Sequence, residues 1–210
     1  MAALPARELG RVLTATLPHT SDEDLRLPSL AAVRIETDGT RLICVASDRH
    51  TMAIATAELD EPPAALIAVT VPRRQVKDLI TELRRRGRRE LPATLTPTAD
   101  GLAVEIDGHT AQLAPAKFGE GYIDWRLFAR NALKAGREPA SEIAFDSRYL
   151  ARIPADAGRV EITLNGPHRA AVARVGDWLT VLLMPIRMGN GADGTAHARA
   201  VLGIPDQAAA

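Results

Sequence analysis

Apolar and polar positions along the chain follow one order that recurs three times: a helical segment, then three segments with strand-like alternation. In the first copy, apolar residues at helical spacing predict a helix over Leu9, Val12, Leu13 and Leu17. Three strands are then predicted at residues 30–37, 41–47 and 51–57. The Asp38-Gly39 pair between the first two is typical of a tight hairpin turn.

The second and third copies repeat this order and add a leading strand. In the second copy, strand 66–71 precedes a helix that buries Val76, Leu79, Ile80 and Leu83 and ends near Gly87. Strands at 93–96, 101–106 and 110–114 follow. In the third copy, strand 142–145 precedes a short helix from Ser147 that stops before Pro154, and strands at 159–164, 170–175 and 178–184 follow.

A unit of one helix and one small sheet leaves sheet edges open, so two units are expected to pair, with strands joining and helices packing together. The predicted fold class is therefore α+β, with repeated helix-plus-antiparallel-strand units and the helices on one face of the sheets. The predicted organisation is a two-unit domain at 1–128, a linker at 129–140, a half-domain at 141–188 and a flexible tail at 189–210.

Composition narrows the function classes. The 210 residues carry no net charge, so any affinity for a polyanion must come from a local patch. A single cysteine, Cys44, excludes an internal disulfide and favours a reducing compartment. The N-terminus lacks the pattern of a signal peptide, and no apolar run is long enough to span a bilayer. We therefore predict a cytoplasmic protein with no membrane partner.

The sequence contains no pattern of residues that is typical of a catalytic site. Cys44 lies among Leu42, Ile43 and Val45, where a buried strand residue is expected rather than a nucleophile. The five histidines are scattered without metal-ligand spacing, and neither a Gly-x-Ser-x-Gly nor a phosphate-loop pattern occurs. The prediction is a protein that is not an enzyme, with no catalytic residues, no metal and no cofactor.

The helix of the second copy is strongly basic. Residues 73–89 contain eight basic and two acidic residues, a net charge of +6. One interpretation is a DNA-contacting surface, for which the candidate residues are Arg73, Arg74, Lys77, Arg84, Arg85 and Arg88. The alternative is a solvated, arginine-rich helix face, and the sequence alone leaves both open.

Two segments far apart carry a family resemblance: Ala46-Ser47-Asp48-Arg49-His50-Thr51-Met52 and Leu182-Leu183-Met184-Pro185-Ile186-Arg187. With the segment at 121–126, Gly-Tyr-Ile-Asp-Trp-Arg, they resemble the bacterial DNA sliding clamp, the β subunit of DNA polymerase III. Residues 1–128 resemble its middle domain, and 142–188 resemble the second half of its last domain. Family members encircle DNA as a ring and hold partners by short peptides.

The resemblance implies a peptide-binding groove between the first and third copies. Its lining would be Leu30, Ser47, Arg49, His50, Thr51, Met52, Leu182, Met184, Pro185 and Ile186. Methionine and leucine suit apolar peptide anchors, although alternating core strands would show the same residues. Arg49 stands where the family has glycine, and Thr51 stands where it has arginine, which puts the family's ligand preference in question.

The function that this resemblance implies is a sliding-clamp-like binding protein. Its expected partners are linear peptides of DNA polymerase or repair-type proteins, together with double-stranded DNA at the basic helix. The alternative is a clamp-fold regulatory or interaction module, associated with a transcription regulator, that does not encircle DNA. An open sheet edge in the half-domain also predicts a homodimer in which two half-domains meet.

Overall fold

The computed structural model describes residues 1–22, 27–86, 91–117, 121–134, 136, 142–156, 158–187 and 201–202. The helices of this part of the chain are α1 (Ala6–Thr16), α2 (Arg73–Arg86), α3 (Trp125–Lys134) and α4 (Ser147–Leu150). The first six strands are β1 (Ala2–Pro5), β2 (Ala32–Thr37), β3 (Arg41–Ser47), β4 (Thr51–Glu58), β5 (Ala68–Pro72) and β6 (Pro92–Thr98). The other five are β7 (Gly101–Ile106), β8 (His109–Leu113), β9 (Val160–Thr163), β10 (Ala171–Val175) and β11 (Leu179–Leu183).

The first two repeats exchange their leading strands. β1 of the first repeat pairs with β6 of the second, and β5 of the second pairs with β2 of the first, all antiparallel. The described strands therefore form two sheets, in the orders β1-β6-β7-β8 and β5-β2-β3-β4-β11-β10-β9. Each exchange covers an edge that a single repeat would expose, so neither repeat is complete without the other.

The main core lies between the sheets and the helices α1 and α2. Leu9 and Leu13 of α1 are fully buried, and Val76 and Leu79 of α2 are 0% and 2% exposed. These helix residues belong to the same apolar cluster as the alternate residues of β3, such as Leu42 and Cys44. The predicted arrangement, with α1 and α2 packed together on one side of the sheets, is confirmed.

The seven-stranded sheet continues from the first repeat into the third. β4 pairs antiparallel with β11, with Met52 opposite Leu182 and Ala53 opposite Val181. The Met184 backbone N–H donates to the His50 carbonyl oxygen at 2.9 Å, which extends this pairing beyond the ends of the two strands. The pairing places the two sequence segments singled out above side by side.

The predicted linker at 129–140 needs a correction, because α3 runs through residue 134. This helix lies on the face of the seven-stranded sheet opposite α1, over a second apolar cluster that contains Val45, Met52 and Leu182. The Tyr122 hydroxyl donates to the Val45 carbonyl oxygen at 3.1 Å, and Arg126 pairs with Glu36 at 2.7 Å. These contacts stabilise a helix whose second half, from residue 129, was predicted to be part of a polar connector rich in small residues.

Two other expectations about leading strands also change. The first repeat has a leading strand, β1, which was not predicted because Pro5 suggested only the start of a helix. In the third repeat, the predicted strand 142–145 is reduced to one isolated bridge between Ala144 and Ile186. The predicted helix end near Gly87, the candidate residue Arg88 and most of the predicted tail lie outside the described residues.

None of the helices in the described ranges has the length and apolar character needed to cross a membrane.

Candidate functional site

An apolar cleft of about 310 Å³ opens where β4 and β11 meet, on the side of the sheet that carries α3. Its lining residues are Leu27, Leu30, Ser47, Arg49, His50, Thr51, Met52, Ile123, Phe128, Ala170, Leu182 and Met184. Leu30, Met52 and Leu182 form a nearly buried floor, and Met184 and Phe128 are 39% and 56% exposed. The cleft therefore offers apolar side chains that a bound group could cover.

The structure brings together eight of the ten residues predicted for the groove. They are Leu30, Ser47, Arg49, His50, Thr51, Met52, Leu182 and Met184. Pro185 and Ile186 are not among the lining residues, which corrects their predicted place. Ile186 lies beside a separate cavity with Glu142 and His168, because its N–H donates to the Ala144 carbonyl oxygen at 2.9 Å.

Four lining residues were not predicted: Leu27, Ile123, Phe128 and Ala170. Ile123 lies just before α3 and Phe128 lies in its first part, both at the end of the predicted domain 1–128 and ahead of the predicted linker. The signal that could have found them is the apolar spacing of Ile123, Leu127 and Phe128 beside Trp125. Ala170 precedes β10 and is too small to stand out in any pattern.

The turn between β3 and β4 forms one rim of the cleft, and Asp48 organises it. One carboxylate oxygen of Asp48 accepts from the His50 N–H at 3.0 Å, the Thr51 N–H at 2.8 Å and the Thr51 hydroxyl at 3.0 Å. Arg49 adopts φ +80°, a left-handed conformation that L-residues other than glycine rarely occupy. These hydrogen bonds hold a strained residue in place at the cleft rim.

Arg152 of the third repeat ties this rim turn to the rest of the molecule. Its guanidinium forms an ion pair with Asp48 and donates to the Thr51 hydroxyl at 2.8 Å. The Asp48 side chain is only 9% exposed. Burial raises the pKa of this carboxyl, but the hydrogen bonds from Arg152 and Thr51 outweigh burial and hold the pKa below its usual range. Tyr149 stacks on His50 with ring centroids 5.4 Å apart.

His19 lies fully buried close to the same ion pair. The pKa of His19 is lowered to about 4, mainly by burial. The nearby charge of Arg152 also lowers this pKa, and its effect is larger than the opposite effect of Asp48. His19 is therefore neutral at physiological pH.

The five basic candidates within the described residues lie on α2, on the side of the molecule away from α3. Arg74, Lys77 and Arg84 are exposed and have no acidic partner within 4.0 Å in the described ranges. Arg73 is instead paired with Asp22, and Arg85 is paired with Glu82 at 2.8 Å, so both have part of their charge neutralised.

A cavity of about 460 Å³ lies between α1 and α2, beside this surface, and both basic and acidic residues line it, Asp156 among them. Its lining includes Arg7 and Arg11 of α1, Arg84 of α2, and Trp178, over whose ring the Arg11 guanidinium lies at 4.3 Å. The α1 arginines were not predicted as candidates, because two isolated arginines on an amphipathic helix look like ordinary solvated residues.

Two expected features of a catalytic centre, a reactive thiol and a metal cluster, can be compared with the part of the chain that the structure describes. Cys44 is fully buried, and burial raises the pKa of its thiol. Within the described ranges, no three His, Cys, Asp or Glu side chains are grouped so that they could hold a metal ion.

The sequence from residue 3 to residue 113 matches the family model for the central domain of the DNA polymerase III beta subunit. This match covers more than half of the chain. The chain belongs to the DNA polymerase III beta subunit family. No curated protein sequence matches the chain.

Solved structures of this family share the fold. The DNA polymerase III subunit beta of Pseudomonas aeruginosa superposes with a TM-score of 0.68 at 18% identity, over 88% of this chain and 66% of that one. The sliding clamp of Bacillus subtilis gives a TM-score of 0.67 at 15% identity, over 90% of this chain and 65% of that one. The chain therefore has a sliding-clamp-like fold and spans slightly less than two thirds of the length of these clamps.

Proposed function

We propose that this protein works by binding rather than by catalysis, and that its cleft between β4 and β11 holds a short linear peptide of a polymerase or repair-type protein. The observation that supports this most strongly is the juxtaposition of two segments about 130 residues apart around one apolar cleft. The cleft surface is apolar and adaptable, because it is lined by the flexible methionines Met52 and Met184 and by the branched Leu182. Such a surface suits leucine or aromatic peptide anchors.

The expected affinity is modest. Burying one leucine or phenylalanine anchor contributes about 1.5–3 kcal/mol before the costs of ordering the peptide, so micromolar binding is expected. The polar groups at the rim, such as His50 and the Ser47 hydroxyl, would orient the peptide. The Ser47 hydroxyl already donates to the Thr51 carbonyl oxygen at 2.9 Å, so the rim is ordered before the peptide arrives.

The test is a titration of a fluorescent peptide that carries a glutamine, a leucine and an aromatic anchor. Met184→Asp places a carboxylate beside the apolar floor and should remove binding, because the charge would lose water when the peptide binds. The matched control is Ile186→Asp, two residues along and comparably exposed but outside the cleft lining, which should bind as the wild type does. Equal binding by wild type and Met184→Asp, or no binding by wild type at high micromolar concentration, would refute the proposal.

We also propose that the exposed face of α2, with Arg74, Lys77 and Arg84, contacts the phosphate backbone of double-stranded DNA. Support comes from the absence of acidic partners for these three side chains in the described ranges. The α1 arginines beside Arg84 add less, because Arg7 and Arg11 are both paired with Glu8. Binding of this kind is indifferent to DNA sequence and weakens steeply with salt.

The DNA test compares two variants in salt-dependent anisotropy. Changing Arg74, Lys77 and Arg84 together to Glu should abolish DNA binding, because each substitution replaces a phosphate contact with a repelling carboxylate. Each lost contact also reduces the slope of log K against log salt concentration by about 0.9. Arg130→Glu on α3 is the control, since it lies on the opposite face of the seven-stranded sheet. If the triple variant binds like wild type, α2 is only a solvated face, and peptide binding without DNA binding would favour a regulatory module of the clamp fold.

A further inference from the structure

The cavity of about 460 Å³ between α1 and α2 shares no lining residue with the cleft and lies on the opposite side of the seven-stranded sheet. Ala6, Gly10 and Ala15 of α1 line it with small side chains, which leaves the space open. Ile80 and Leu83 of α2 form an apolar floor and are 5% and 4% exposed. Sites that hold small organic molecules have volumes of about 300–1,000 Å³, so this cavity is large enough for one.

The third repeat supplies the outer wall of this cavity. Its helix α4 ends at Leu150, and Pro154 and Asp156 of the segment that follows line the cavity. Trp178, from the turn between β10 and β11, lines it as well and packs partly against the main core. The Arg11 guanidinium covers part of the indole at 4.3 Å, which helps to hold the ring in place. The outer wall therefore combines an ordered aromatic surface with one carboxylate.

Two charges of opposite sign line the cavity on different walls, Arg84 on α2 and Asp156 on the third repeat. Among the residues whose placement is described, Asp156 has no basic group within 4.0 Å, and Arg84 has no acidic group within that distance. Arg84 and Asp156 are therefore also too far apart to pair with each other. Arg7 and Arg11 differ, because both are paired with Glu8. The cavity thus has one cation and one anion that a ligand could engage.

We infer that this cavity binds a small zwitterion with a free ammonium group, a free carboxylate and an apolar body, the chemistry of an apolar amino acid or a dipeptide. The carboxylate would accept hydrogen bonds from the Arg84 guanidinium, and the ammonium group would donate to Asp156. The apolar body would cover the floor of Ile80 and Leu83 beside Trp178. A simple anion would be repelled by Asp156 and a simple cation by Arg84, so a ligand with both charges is favoured.

The first measurement is the fluorescence of Trp178 during titration with L-phenylalanine or with L-leucyl-L-phenylalanine. The chain contains two tryptophans, so Trp125→Phe leaves Trp178 as the only one. At least one ligand should give a saturable change with a dissociation constant of about 10–500 µM, and calorimetry on the wild-type chain should give the same constant. Binding of the amino acid identifies a ligand of that size, and binding of the dipeptide alone identifies the longer one.

The second measurement pairs a change in the ligand with a change in the protein. N-acetylation removes the ammonium charge and should weaken binding to wild type about threefold or more, but should matter little to Asp156→Asn, which has lost the partner of that charge. Amidation of the carboxylate should behave in the same way with Arg84→Gln. The controls are Asp100→Asn and Arg85→Gln, at charged residues that do not line the cavity, and both should bind as wild type does.

The absence of binding by both ligands up to about 5 mM would overturn the inference. Equal affinity of wild type for free and blocked ligands would overturn it too, and so would an Asp156→Asn variant that discriminates between them as wild type does. The inference does not rest on the proposed peptide or DNA binding. The cleft variant Met184→Asp should keep its affinity for the zwitterion, and Asp156→Asn should keep its affinity for the fluorescent peptide, so the proposals can fail separately.

Discussion

The link between Asp48 and Arg152 gives the sharpest test of how the third repeat supports the cleft. The two residues are separated by 104 positions in sequence, and their side chains are only 9% and 23% exposed. Arg152→Met keeps most of the side-chain volume but removes the charge. The Asp48 carboxylate would then lie nearly buried without its cation.

The expected cost can be estimated from the contacts. Removing one partner of a buried ion pair typically costs about 3–5 kcal/mol. Asp48 keeps three donors from His50 and Thr51, which continue to stabilise its charge. We therefore expect Arg152→Met to lower the free energy of unfolding by about 2–3 kcal/mol.

A double-mutant cycle with Asp48→Asn isolates the pair. The coupling energy between Asp48 and Arg152 should be about 1–2 kcal/mol, measured by urea unfolding with the slope held constant across variants. Arg148→Met is the control, because its pair with Asp146 at 2.6 Å leaves the Arg148 side chain 81% exposed, and water screens exposed pairs so that little change in stability is expected.

The pH dependence supplies an independent check. The folded-state pKa of Asp48 is depressed, so its stabilising contribution is present above the unfolded pKa of about 3.9 and is lost as pH falls through the folded value. The coupling to Arg152 should therefore shrink in acid. A coupling below about 0.5 kcal/mol at neutral pH, or one unchanged in strong acid, would refute the reasoning.

Two further predictions concern a turn and a buried histidine. Gly101→Ala should lower the free energy of unfolding by more than about 3 kcal/mol in urea unfolding, because a Cβ there would stand 2.1 Å from the Leu113 carbonyl oxygen. Gly108→Ala is the control: its Cβ would meet open space at φ +71°, so the cost should be only about 1–2 kcal/mol. Similar costs for the two variants would contradict this prediction. Between about pH 6.5 and 4 the unfolded state binds a proton at His19 that the folded state does not. The free energy of unfolding should therefore decrease by up to about 3 kcal/mol as the pH is lowered through this range. His19→Leu should flatten this dependence, while wild type and variant should show the same pH profile above about pH 7.

The repeated order of helices and strands could be predicted from the sequence, because each helix or strand depends on the local periodicity of its apolar residues. Leu9 and Leu13 recur at helical spacing, Val69 and Val71 alternate as a strand requires, and Gly39 of the predicted hairpin turn takes φ +104°. The α+β class and the family resemblance follow from this local information. Residues Met52 and Leu182 could likewise be named as cleft candidates, since their segments carry the family's motif.

Other features were decided only by tertiary contacts. The exchange of β1 and β5 between repeats pairs strands that are far apart in sequence, and no local pattern encodes that choice of partner. The helix α3 depends on Tyr122 and Arg126 docking on strands about 80 residues earlier, and this docking brings Phe128 to the cleft. The Asp48–Arg152 pair is invisible in sequence for the same reason, because an ion pair is specified by two distant side chains meeting where water is excluded.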